Sequence, residues 1–238
     1  MKTGKVYNLP SCTHPNTMLM NAKNDLAANE WQQIKADKFW RKVALRKPVF
    51  QVYENEEKFL DVLLSFVGAG INCNDCTIVI ATDAHQEKLQ KRLASHGVHV
   101  EGLIREKKYI PVHAESALAR FMRDGLPHEQ LFINTIKEFT QEGASDTSSI
   151  RIFREMGPVL LAQGNEIAAM QLEVLWKNYS DKMPVSLFCA YPKAHSVIED
   201  CDSLREMGYD RTKMVTNSKS LSELLYKECM DVMPHKYN

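Results

Sequence analysis

The chain has 238 residues, of which 44% are hydrophobic and 25% charged, and its 30 basic and 30 acidic side chains cancel. This is the composition of an ordinary globular α/β domain. It lacks the basic surplus of a nucleic-acid binder, and no apolar run approaches the ~18 residues that span a bilayer.

Residues 1–47 read as an N-terminal arm. Pro10 and Pro15 keep the first twenty or so residues irregular, and a helix is expected from about Asn24 to Val43 with Trp31, Ile34, Phe39 and Trp40 as its apolar positions. The N-terminus carries no apolar signal-peptide core, so a cytoplasmic location is expected. The six cysteines are scattered, which fits a reducing compartment better than a disulfide framework. Cys73-Asn-Asp-Cys76 precedes a strand rather than a helix and has no second pair, so it reads as a turn, with no metal called.

From Pro48 the pattern becomes regular. Val49–Tyr53 alternates like a strand. Phe59, Val62, Leu63, Phe66 and Val67 recur at helical spacing, with Gly68 and Gly70 expected to close that helix. Thr77–Ala81 is a continuous β-branched run, the mark of a strand buried on both faces. Gln86–Ser95 is helical up to Gly97, Tyr109–Val112 is a short strand, and a helix follows through Ala117–Met122. Pro127 suits the first turn of a helix running to about Gln141. Ile150–Phe153 is a strand and Pro158–Ala162 a short helix. Asn165 is a good N-cap for a helix to about Tyr179, and Val185–Ala190 is another apolar strand. Helices are expected near 194–206 and 219–230, giving a division into an arm (1–47), an α/β core (48–192) and a helical C-terminal extension (193–238).

Strands alternating with helices predict a three-layer α/β fold, a mostly parallel sheet with helices on both faces. Ligands bind such sheets beyond the carboxyl ends of the strands. The positions of interest are therefore Tyr53-Glu54, Thr82–His85, His113–Glu115, Arg154-Glu155 and Tyr191-Pro192. The step after the central strand, Ala81-Thr82-Asp83-Ala84-His85, has no glycine and no Gly-Lys-Ser/Thr, and its Asp would repel an anion. Nucleotide binding in the usual manner is not expected there, although a helix N-terminus still offers free N–H groups to a small polar ligand.

The ordered series "FQVYENEEKFLDVLLSFVGAGI", "TIVIATDAHQEKLQKRL", "IFREMGPVLLAQGN", "LEVLWKNY" and "VSLFCAYP" resembles the MEDS domain, the methanogen/methylotroph, DcmR-type sensory domain. That resemblance implies a RecA/KaiC-like fold with an eroded phosphate loop. It also implies a prokaryotic signalling role as a sensor of a small organic, hydrocarbon-derived molecule, with no cofactor. Pro48 stands where the family usually has His, and His113 where it usually has Asp. The family commonly precedes a kinase, an ATPase or a DNA-binding domain, for which a chain of this length leaves no room beside its core.

Ligand contacts are expected from Tyr53, His85, Glu155, Trp176 and Tyr191. His85 flanks a helix start. Glu155 is a carboxylate in an apolar context and must be paired or solvated. Trp176 is an i,i+3 neighbour of Glu173 and also fits a core stripe, and Tyr191 follows a strand. Cys189 reads as a small core hydrophobe. His96/His99 and His113/Glu115 read as helix termini rather than metal or catalytic pairs. Three functions stay open: a non-catalytic sensor read by a signalling protein or by self-association through terminal helices, a remnant nucleotide hydrolase or other hydrolase using His85 and Glu155, and a degenerate interaction module. Direct nucleic-acid and membrane contacts are not expected.

Overall fold

The continuous β-branched runs do become buried strands, and they build one twisted sheet. The computed structural model describes residues 31–44, 47–143, 149–195, 201–206, 209, 212–220 and 223–229. In chain order the elements are β1 (Trp31–Lys35), α1 (Ala36–Lys38) leading into a π-helical turn (Phe39–Val43), β2 (Val49–Tyr53), α2 (Glu56–Asn72), β3 (Cys76–Ala81), α3 (Asp83–Ser95), α4 (Val100–Arg105), β4 (Tyr109–His113) and α5 (Ala114–Phe121). There follow β5 (Met122–Arg123), β6 (Leu126–Pro127), α6 (Glu129–Gly143), β7 (Ile150–Arg154), α7 (Met156–Ala162), α8 (Glu166–Lys182), β8 (Val185–Pro192), a 3-10 turn (Lys193–His195), α9 (Cys201–Glu206), β9 (Thr212–Ser220) and β10 (Glu223–Cys229).

Eight strands form the main sheet in the order β1-β10-β9-β2-β8-β7-β3-β4. The run from β9 to β4 is parallel, while β1 and β10 add antiparallel pairings at one edge. Because side chains alternate along a strand, each central strand feeds two cores. Ile78, Ile80, Ile152, Leu187 and Cys189 pack with helices α5 to α9 on one face. Val79, Ala81, Phe153, Phe188 and Ala190 pack with α1 to α4 on the other. The fold is thus α/β, a mostly parallel sheet covered by helices on both sides.

Four local expectations change. Helix α2 runs through Gly68 and Gly70 to Asn72 instead of closing at them. Gly70 is needed for close packing: a methyl there would run into Thr77 Oγ1 and lie 3.1 Å from Arg151 Cδ. Pro127 belongs to a two-stranded ribbon with Met122–Arg123, turned by Asp124 (φ 49°) and Gly125 (φ 80°), and the helix begins only at Glu129. An Asp-Gly pair favours this hairpin turn because both central residues need positive φ.

At the N-terminal end, Trp31–Lys35 is a strand paired with β10, and the single helix expected from Asn24 gives way; its residues 24–30 lie outside the described ones. The helix expected at 219–230 is replaced by β9 and β10 wherever that stretch is described. In both places sheet pairing with residues far along the chain overrides local helical spacing. The Cys73–Cys76 segment is a turn, with Asn74 at φ 55° and Asp75 N–H donating to Gly70 O (2.9 Å).

Candidate functional site

The connections leaving β3 and β7 pass to opposite faces of the sheet, α3 to one and α7 to the other. Neighbouring parallel strands whose crossovers diverge leave a crevice at their carboxyl ends. His85 and Glu155 meet in that crevice. Glu155 follows β7 and is anchored by its N–H, which donates to Ile80 O of β3 (2.9 Å). Thr82 is the N-cap of α3, but its side chain makes no cap bond. Instead its backbone N–H donates to Glu155 Oε2 (3.0 Å), and its hydroxyl donates to the same oxygen at 3.4 Å. The N-terminus of α3 therefore faces a carboxylate of the chain itself.

His85 lies in the first turn of α3, between two carboxylates. Its Nδ1 is 2.5 Å from Glu155 Oε1 and its Nε2 is 2.9 Å from Glu56 Oε1, in the first turn of α2. Lys88 caps the other oxygen of Glu56 at 2.6 Å. Ionised carboxylates only accept hydrogen bonds, so both ring nitrogens donate when His85 is an imidazolium. Burial works against that charge, but the hydrogen bonds and charges of Glu155 and then Glu56 outweigh it, and the His85 pKa stands above its ordinary value. Glu155 is only 5% exposed, so the His85 charge also compensates its burial.

Tyr53 joins the same group through stacking. Its ring lies parallel to Phe59 at 4.5 Å, and Phe59 meets His85 edge-on at 5.0 Å. Burial, followed by the charges of Glu155 and Glu56, raises the Tyr53 hydroxyl pKa well above normal. Beside Tyr53, at the carboxyl end of β2 and alongside the first half of β9, opens a cavity of about 380 Å³ lined by residues including Gln51, Val52, Tyr53, Asn55, Met214 and Val215. Lys193, directly after β8, also lines it, so it lies along the same carboxyl edge of the sheet as the His85 crevice.

Trp176 and Tyr191 lie elsewhere. Both are fully buried on the opposite face of the sheet, in a cluster around Arg154 and Glu173. Arg154 grips Glu173 with both terminal nitrogens, at 2.5 and 2.6 Å. The Tyr191 hydroxyl donates to Glu173 Oε1 (2.6 Å), and the Tyr209 hydroxyl lies 2.9 Å from Glu173 O and 3.1 Å from Oε2. The Arg154 guanidinium also sits 5.2 Å from the Trp176 ring. Burial opposes the charge on Arg154, yet the charge and hydrogen bonds of the Glu173 carboxylate favour it, and its pKa stands well above normal. Burial pushes the nearby Cys189 thiol up to about 12, so it remains a protonated, inert hydrophobe.

The five residues singled out in the sequence thus fall into two groups separated by the sheet. Tyr53, His85 and Glu155 line the carboxyl edge, and Trp176 and Tyr191 belong to the buried ion pair. Glu56, Gln51, Arg154 and Tyr209 were not singled out individually. Arg154 closes β7 and is among the strand-end positions of interest, without a role of its own there; Glu56 opens α2, three residues after β2 ends, and Tyr209 carries no local signal. Among the described residues no group of three His, Cys, Asp or Glu is arranged to hold a metal ion. In the Glu56–His85–Glu155 trio the ring stands between the carboxylates, so the donors do not converge. No described helix is long and apolar enough to cross a membrane.

Comparison with curated proteins gave no match. The model of one family, MEthanogen/methylotroph, DcmR Sensory domain, matches residues 49–205, a span that runs from β2 through the His85 and Glu155 edge and on into α9. The chain therefore belongs to the MEDS family of sensory domains.

Proposed function

We propose that this protein senses a small organic molecule through the carboxyl edge of its sheet, without catalytic chemistry of its own, and passes the occupancy on to a signalling partner. The observation that carries this reading is His85 clamped between Glu155 and Glu56. A general base needs a free lone pair, and a ring with both nitrogens engaged as donors offers none. That weighs against a hydrolase built on His85 and Glu155. The place where a nucleotide-binding turn would wrap phosphate is filled by Glu155, whose charge repels a triphosphate. This supports kinship with RecA/KaiC-like domains that have lost a working phosphate loop.

A sensor must couple its ligand to a change in conformational balance. The carboxyl edge offers such a coupling, because Tyr53, Phe59 and His85 are in ring contact and join β2, α2 and α3. The terminal strands β9, β10 and β1 lie beside β2 and are the natural route outward.

Thermal unfolding tests this reading. A panel of small neutral organics should raise the melting temperature of the wild-type protein by RT ln(1 + [L]/Kd), while ATP with magnesium should not. Stabilisation by ATP-Mg alone, lost in His85→Ala, would replace the sensor with a nucleotide enzyme.

A further inference from the structure

Exposed apolar side chains gather around one helix. Among the described residues six large hydrophobic side chains are exposed, and three of them, Ile167 (67%), Met170 (51%) and Val174 (49%), belong to α8. Met183 caps the far end of the same helix. Leu126 lies on the β5–β6 ribbon, which is tied to the start of α8 by Asn165 Nδ2 donating to Gly125 O (2.7 Å). With about 100° of rotation per residue, positions 167, 170 and 174 fall within about 60° of one another. They run along the side of α8 opposite the buried Ala169, Leu172, Trp176 and Tyr179. Single exposed hydrophobics are ordinary on a monomer, but an aligned row marks an interaction face.

The charges beside the row indicate what covers it. Glu166 opens α8 and Lys177 stands eleven positions on, about three helical turns later, so the two lie on one flank of the row. The midpoint of Glu166 and Lys177 coincides with the midpoint of Ile167 and Val174 to within about one residue, or about 1.5 Å along the axis. One two-fold axis therefore serves both sets. A second α8 laid antiparallel across the first stacks the apolar residues on each other and sets Glu166 of each copy opposite Lys177 of the partner subunit. Lys177 Nζ already pairs with Asp181 at 3.1 Å in its own helix, and an ammonium has donors for both carboxylates.

We propose that this chain self-associates through α8, two copies pairing antiparallel across Ile167, Met170 and Val174 in a two-fold dimer. Helix α8 packs on the sheet face away from α2 and α3, and the proposal does not rest on the sensor reading. One helix from each copy makes an interface at the small end of specific ones, so a dissociation constant in the micromolar range is expected.

Sedimentation equilibrium of the full chain, from the low to the high micromolar range, tests this. Wild type should pass from monomer to dimer across that range. Met170→Lys and Val174→Lys each bring two ammonium groups close to the axis and should each raise the dissociation constant at least about tenfold. Both positions are exposed, so the melting temperature of the dilute monomer should not move. Glu166→Lys and Lys177→Glu should each weaken the dimer about threefold to tenfold, and the double swap should restore it. A wild-type chain that stays monomeric throughout overturns the proposal and leaves the row to a different partner. A dimer indifferent to both lysine variants overturns it by placing the contact on another surface. A double swap no tighter than the single ones overturns the antiparallel pairing.

Discussion

Replacing His85 by Ala removes two hydrogen bonds to carboxylates and leaves Glu155, 5% exposed, with the Thr82 donors alone among the described residues. A hydrogen bond to a charged group contributes about 1.5–3 kcal/mol. The Glu56 side chain is 41% exposed, so its share is discounted for solvent screening. The expected loss is about 2–3 kcal/mol at pH 6, or about 4–12 °C in melting temperature for a chain of this size. The pH dependence is more telling than the size. The pKa of His85 in the folded state is raised, so its stabilisation is complete below the unfolded value of 6.5 and is lost as pH climbs through the folded value. The stability gap between wild type and His85→Ala, measured by urea unfolding from pH 6 to pH 9, should therefore narrow as pH rises. A gap that stays flat or widens over that range would mean that His85 is not held as an imidazolium between the two carboxylates.

The buried pair on the other face gives two further tests. Glu173→Gln leaves the Arg154 guanidinium buried without its counter-charge and should cost about 3–5 kcal/mol in urea unfolding. The double variant Arg154→Met/Glu173→Leu should recover most of that loss, and a single variant that unfolds like wild type would show that the pair is not dry. Gly157 lies so close to the Tyr191 hydroxyl that a methyl there would collide with it, and would also lie 3.2 Å from Glu173 Oε1. Gly157→Ala should therefore destabilise by about 1–3 kcal/mol, and by clearly less in a Tyr191→Phe background, a non-additivity that denaturant unfolding of all four proteins would measure.

The central sheet was legible because its signal is local. Thr77–Ala81 and Val185–Ala190 are apolar but for Thr77 and Ser186, as suits strands buried on both faces, and they became β3 and β8 with little change at their ends. The sheet's outer strands were not legible. Burial in β10 does alternate, with Leu224 and Tyr226 inside, but Leu224-Leu225 and the charged residues around them also fit a helix of the same length. Pairing with β9 on one side and with Trp31–Lys35, almost two hundred residues earlier in the chain, on the other decides between the two. The site divides in the same way. His85 and Glu155 could be named because each follows a strand, the rule for ligand edges of parallel sheets. That Tyr191 and Trp176 would be closed off on the far side depended on Arg154 and Glu173, two charges whose burial neither periodicity nor composition reveals.

Arg154 and Glu155 are consecutive, and this adjacency gives the two clusters a common mechanical point. Arg154 shares the strand face of Ile152 and reaches into the core with α8, where it holds Glu173 and, through that carboxylate, Tyr191 and Tyr209. Glu155, one residue on, accepts from Thr82 and His85 on the side of α2 and α3. Arg154 closes β7 and Glu155 follows it with its N–H tied to Ile80 O, so a shift of Glu155 toward or away from His85 bears on the Arg154 pair unless β7 moves with it. Packed interiors respond to such strain by switching between discrete arrangements rather than by bending. Tyr209, which the Arg154 cluster holds, stands three residues before β9, the strand that borders the β2 cavity and carries the sheet on toward β10 and β1. On the proposed reading, a ligand that biases the His85 clamp therefore has a path of close contacts to the terminal strands without any long loop having to move.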